Sequence, residues 1–271
     1  MTMTMSIGDW EPLWLGTPSR RLYAAFHGTR TPSPAGVVLV PPLLHELPRS
    51  RRFLVQVASE FAALGLPCLR FDFHGTGDSG GCGTELDFTS MQHDLDLAIT
   101  ALRQQAGVAR VALVAWRTSA LALQGWVERG GLADLVVLWE PVVDGDAWLR
   151  DIAQCDAEER ELRPPPRKGV PRATDPADGQ LMGFPASRTL RGDLARTRMG
   201  TGILRGNAPV WGVVRADVDD LPPGIAKVLH LPANAPSFKG GAAMDATFFL
   251  TPEIREAVVD VGRAMRAEVQ A

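Results

Sequence analysis

The chain has 271 residues, enough for one large α/β domain with an insertion and a sizeable core. Hydrophobic residues make up 45% and charged residues 22%, and a formal net charge of −3 with a pI near 6.0 excludes the basic footprint of a nucleic-acid binder. No apolar run approaches the roughly 18 residues that a membrane span needs.

In chain order, β-formers cluster at residues 22–26 and 37–40. The stretch 51–64 then sets Phe53, Leu54, Val57, Phe61 and Leu64 at helical spacing, the apolar face of an amphipathic helix. A strand over 68–73 runs into a glycine-rich turn. Met91, Leu95, Leu97, Ile99 and Leu102 mark a second amphipathic helix over 90–102. A strand at 111–115, a helix at 120–128 and a strand at 135–139 follow, with further strands at 210–215 and 226–231. The last helix, 251–267, opens with Thr251 as N-cap, Pro252 at its first position and Glu253 in its first turn. Strands alternating with helices predict a mostly parallel sheet.

Between residues 144 and 207 the pattern becomes charged and poor in strand character. Proline blocks helix and sheet ladders alike, so "RPPPRKGVPRATDPADG" makes 162–179 a loop, with short helices on either side. An insertion here sits over the carboxyl ends of the strands, where open α/β sheets bind ligands. The reading is a cap or lid at 144–207 within a single domain, 1–271. The opening "MTMTMSIGDW" carries neither a basic nor an apolar segment. The cysteines Cys68, Cys82 and Cys155 share no metal-like spacing. A reduced, cytoplasmic protein without cofactor or metal is expected.

Two stretches carry the chemistry. In "RFDFHGTGDSGG", Gly75, Gly77 and Gly80 match the dinucleotide fingerprint. That fingerprint requires the glycines to open a helix directly, and here "CGTELDFTS" intervenes. The alternative is a glycine-rich turn in which Asp78 and Ser79 satisfy backbone donors. In "LVAWRTSALALQGW" a strand meets a tight turn and then a helix, the frame of a nucleophile elbow, with Arg117 where a serine would stand.

The glycine-rich segment resembles the loop after the fourth strand of α/β-hydrolases. "EPLWLGTPSRRLYAAFHG", "VLVPPLLHELPRSRRFLVQVASEFAALGLPCLRFDFHGTGDSGG", "LVLWEPVVDGDAWLRDI" and "GQLMGFPASRTLRGDLA" are similar to one branch, the hydrolase-like proteins of the exosortase and exopolysaccharide system. The resemblance runs from about residue 11 to the last helix. It implies an α/β-hydrolase fold, and a branch that carries arginine at the elbow.

Placed on that frame, the triad is incomplete. Arg117 is permanently charged and cannot act as an acyl-accepting nucleophile. Ser119 comes two residues late and reads as a helix N-cap or first-turn serine, leaving it a weaker candidate. Asp217 matches the acid position after strand 210–215, though with Asp219 and Asp220 it reads equally as a solvated turn. Proline or serine stands where the histidine belongs. His230, the other weak candidate, reads as a satisfied core residue of its strand.

The loop "PPLLHELPRSRR" follows strand 37–40, where this fold completes an oxyanion hole. His45 and Glu46 are therefore expected within a few ångströms of Arg117, with Arg117 at positive φ and facing a pocket beneath the insertion. Either Arg117 binds an anion while His45 or Glu46 moves a proton, or Glu46 neutralises Arg117 in a structural pair. Arg49, Arg51 and Arg52 read as solvated residues, and Trp116 and Trp139 as packing. The expected function is action on a small-molecule, acyl or carbohydrate-linked substrate in biosynthesis without a Ser-His-Asp mechanism. The alternatives are a pseudo-hydrolase binding an anionic ligand or a protein partner and, more remotely, a nucleotide-dependent oxidoreductase. Homo-oligomerisation is left open.

Overall fold

The computed structural model describes residues 10–162, 179–216, 221–233, 235 and 250–270. Its elements are β1 (Glu11–Thr17), β2 (Arg20–His27), β3 (Ala35–Val40), α1 (Glu46–Ala63), β4 (Cys68–Phe71), α2 (Phe88–Ala106), β5 (Arg110–Trp116), α3 (Ser119–Glu128), β6 (Leu135–Trp139), α4 (Gly145–Leu162), β7 (Gln180–Leu181), β8 (Phe184–Pro185), α5 (Arg188–Arg196), β9 (Val210–Arg215), β10 (Lys227–Leu231) and α6 (Pro252–Gln270). Eight strands form one sheet in the order β1-β2-β4-β3-β5-β6-β9-β10. β1 pairs with β2 and β2 with β4 antiparallel, and every later pairing is parallel.

The inner strands β3, β5 and β6 are buried on both faces, apart from Arg110 at the start of β5, which is why they read as unbroken apolar runs. Their alternate residues divide into two cores. Val37, Leu39, Ala112, Val114 and Val137 pack against α1 and α6, while Val38, Val40, Leu113, Ala115 and Leu138 pack against α2 and α3. The segment between β6 and β9 joins the second core through Trp148 and Ile152 of α4, Leu181 of β7, and Leu190 and Leu194 of α5.

Three elements differ from the sequence expectation. β1 is an addition to the expected strands, because this edge strand buries Leu15 alone and leaves no alternating apolar signal. α1 begins at Glu46 instead of residue 51. Leu44 turns the chain at φ 52, the Glu46 and Leu47 amides donate to the carbonyls of Leu43 and Leu44, and Leu47 is buried. Pro48 is tolerated there because first-turn amides have no intrahelical partner. The segment between β6 and β9 also contains a short antiparallel hairpin, β7–β8.

Candidate functional site at the carboxyl edge of the sheet

β5 ends at Trp116 and α3 starts at Ser119, so Arg117 and Thr118 make the whole turn. Arg117 has φ 54, a left-handed conformation that is strained for a long side chain. Its surroundings over-determine it. The Arg117 amide donates to the Trp139 carbonyl at 3.1 Å, and its own carbonyl accepts from the amides of Ala120 and Val142, each at 3.2 Å. The guanidinium is equally engaged, with Nε donating to Glu46 Oε1 at 3.0 Å and Nη1 to the Glu140 carbonyl at 2.9 Å. Glu140, at the end of neighbouring β6, is itself left-handed at φ 42. Two adjacent parallel strands thus end in strained residues tied together by one arginine.

Glu46 is wholly buried and Arg117 nearly so. Burial pushes the Glu46 carboxyl up, and the Arg117 guanidinium pulls it back without overcoming that effect. The Trp148 indole lies beside the carboxylate. Among the described residues, however, neither its N–H nor Glu46 Oε2 makes a hydrogen bond of ordinary geometry. His45 is buried, and desolvation followed by the charges of Arg49 and Arg117 holds its pKa at about 4. It is therefore a neutral imidazole near neutral pH.

Among the described residues no Ser-His-Asp triad assembles. Ser119 is completely buried, and its hydroxyl donates to the Pro41 carbonyl in a very close contact. It is the first residue of α3, and Thr118 holds the N-cap position. His230 is exposed on β10, which corrects the expectation of a core histidine. β10 is an edge strand, so the face that carries Val228 and His230 meets solvent. Asp217, Asp219 and Asp220 lie outside the described residues, as do Pro236 and Ser237.

The arginines near α1 also need correction. Arg49 is buried, and Arg51 bridges Asp72 at 2.6 Å and Asp78 at 2.8 Å; Arg52 alone is exposed, as expected. Trp116 and Trp139 stack with ring centroids 5.2 Å apart inside the core.

The glycine-rich stretch is a turn and does not open a helix. Ser79 accepts from the Tyr23 amide at 2.9 Å and donates to the Asp72 carbonyl at 2.6 Å, a short 3-10 turn covers Gly83–Glu85, and α2 begins only after its N-cap, Asp87. Asp78 serves differently from the expectation, pairing through its side chain with Arg51.

Among the described residues this edge also carries a cavity that Arg117 does not line. It has a volume of about 470 Å³ and opens between the first turn of α1, the Gly75–Asp78 turn and β8. Its wall includes Leu44, Leu47, Phe184 and Pro185, none of which stands out in the sequence. The one signal available there is the cluster of glycines, which marks places where backbone approaches closely. Among the described residues no group of three or more His, Cys, Asp or Glu could hold a metal ion, and no helix is long and apolar enough to cross a membrane.

No family model and no curated protein matches the chain. Solved structures do. Est1E from Butyrivibrio proteoclasticus, with ferulic acid bound, aligns with a TM-score of 0.62 at 12% identity over 95% of this chain and 99% of its own. The α/β-hydrolase GrgF from Penicillium sp. sh18 aligns with a TM-score of 0.61 at 13% identity over 97% and 99%. DcsB in complex with its substrate analogue gives 0.61 at 17% identity over 97% and 100%. The chain has the α/β-hydrolase fold, with a mostly parallel eight-stranded sheet flanked by helices.

Proposed function

We propose that this protein is a pseudo-hydrolase. It uses the carboxyl edge of a hydrolase sheet to bind a small molecule and performs no Ser-His-Asp chemistry. One observation carries the reading: the elbow position is filled by a guanidinium already committed to Glu46 and to the Glu140 carbonyl. A nucleophilic mechanism needs a hydroxyl and a base within hydrogen-bond reach, and Ser119 spends its hydroxyl on Pro41. The resemblance to exosortase-associated hydrolase-like proteins supports a place in a biosynthetic pathway, and the ligand or protein partner belongs to that setting.

The test is a panel of p-nitrophenyl esters together with a fluorophosphonate probe. No turnover above background and no labelled serine are expected. Hydrolysis that disappears in Ser119→Ala would overturn the reading.

A second reading is turnover of an acyl or carbohydrate-linked substrate by another route, with His45 or Glu46 moving a proton. The upward-shifted Glu46 carboxyl with its unbonded Oε2 favours it. It requires substrate to reach a wholly buried carboxylate, and a Glu46→Gln variant that retains full turnover of a discovered substrate would end it.

A further inference from the structure

The pocket of about 470 Å³ beside the elbow gives the proposed ligand function a chemical class, and this assignment rests on the pseudo-hydrolase reading. Six apolar residues line it: Leu44, Leu47 and Pro48 at the start of α1, Leu86 before α2, and Phe184 and Pro185 in β8. The remaining wall is largely backbone of the glycine-rich turn, with Arg51 and Asp78 at its side. Its volume lies in the range of small-molecule sites.

The wall is held in place from behind. A Cβ at Gly77, where φ is +55, would sit 2.1 Å from Asp72 Oδ2 and 2.2 Å from Arg51 Nη2, so only glycine lets the turn close onto that ion pair. A Cβ at Gly83 would meet Pro185 Cβ at 2.8 Å, so the turn before α2 and the β7–β8 hairpin approach each other directly. The two sides of the pocket therefore meet in direct contact.

Charge selects among apolar ligands. The cation on the wall, Arg51, is bound to two carboxylates, Asp72 and Asp78. Arg70 also acts on Asp72, so Arg51 and Arg70 stand against Asp72 and Asp78 with no excess of positive charge, and exposed Glu85 is on the same turn. Among the described residues of the lining the one cation, Arg51, is already paired, so this wall favours an uncharged ligand over a free carboxylate or phosphate.

We propose that the pocket between α1, the glycine-rich turn and β8 binds the apolar body of an uncharged acyl- or aryl-bearing small molecule. Binding at this wall is independent of Arg117 and Ser119.

The experiment titrates the full chain with neutral N-phenyl-1-naphthylamine and with anionic 8-anilinonaphthalene-1-sulfonate. The neutral probe should bind saturably, and the anionic one about tenfold more weakly. Phe184→Asp should weaken the neutral probe by about tenfold, with Phe184→Leu within about threefold of the unsubstituted chain. A second readout needs no core variant. Cys82 is exposed and precedes the lining residue Gly83, Cys68 is buried and Cys155 is partly exposed away from the lining, so in a Cys155→Ser background saturating neutral probe should slow alkylation of Cys82 by iodoacetamide. If Phe184→Asp does not fold, Cys82 protection decides. Equal affinity for the two probes, binding indifferent to Phe184→Asp, or an unprotected Cys82 each overturns the proposal. A fluorophosphonate-labelled Ser119 would instead overturn the non-hydrolytic reading and leave the probe results standing.

Discussion

Helix α1 reaches two turns at the carboxyl edge of the sheet with the same chemical device and opposite consequences. Through Glu46 it meets Arg117 in a pair whose side chains are 0% and 10% exposed. Five residues later, Arg51 meets Asp72 and Asp78 in a network where the arginine is 36% exposed. The first pair fills the position where this fold keeps its reactive group, and the second flanks an open pocket. The difference is dielectric. In the first pair both side chains are buried and must keep each other, whereas in the second Arg51 and Asp78 can exchange partners for water and the buried Asp72 also accepts from the Asp78 amide. One turn has become a structural joint and the other the side of a binding site.

Removing Arg117 puts this contrast under the greatest strain. Arg117→Ala should cost about 3–5 kcal/mol of unfolding free energy, because Glu46 is left buried and uncompensated. The double change Arg117→Met with Glu46→Leu should recover most of that loss. Urea denaturation of both variants measures this, and a loss below about 1 kcal/mol for the single variant would return the arginine to a functional role.

Acid comes next. His45 has a folded-state pKa of about 4 against an ordinary 6.5, so its neutral form is what the fold prefers. Its contribution is fully present above pH 6.5 and is lost as pH falls from 6.5 towards 4, up to about 3 kcal/mol. His27, also held at about 4 by burial and then Arg70, acts in the same direction, while the raised carboxyl of Glu46 acts in the opposite one. The difference between the unsubstituted chain and His45→Gln isolates the one histidine. Parallel stability profiles over that range would refute its assignment as a buried neutral group.

Ser119→Ala should reduce stability by about 1–2 kcal/mol, since the Pro41 carbonyl loses its donor inside the core. Its ester background should stay where it was. The smallest effect belongs to the exposed half of the comparison. Arg51→Met should cost about 1 kcal/mol, and the Asp78 share should shrink in salt, because Arg51 and Asp78 are open to solvent and the buried Asp72 keeps the Asp78 amide as a donor. A large, salt-independent loss there would show that the two pairs do not differ as described.

Much of the fold is legible in the chain. The inner strands announce themselves because β3, β5 and β6 are buried on both faces, and α2 and α6 because one face of each is apolar. Arg117 at the elbow follows from the strand–turn–helix frame alone. The edges are harder to read. β1 has too little burial to print a period, and the first turn of α1 is hidden behind Pro48 and a run of arginines.

Local order is therefore written in the chain: which segments extend, which coil, and that an arginine stands where a nucleophile would need to be. Those features depend on neighbours within a few residues, through side-chain period and backbone preference. Which charges meet is fixed only when the elements pack. Arg117 is bound to Glu46, 71 residues away, and to the carbonyl of Glu140; Ser119 is turned to Pro41; His230 is left in solvent; and the pocket takes its wall from Phe184 and Pro185. Partnership at a distance is set by how sheet and helices pack, and desolvation on packing is what turns a pair of charges into either a joint or a binding surface.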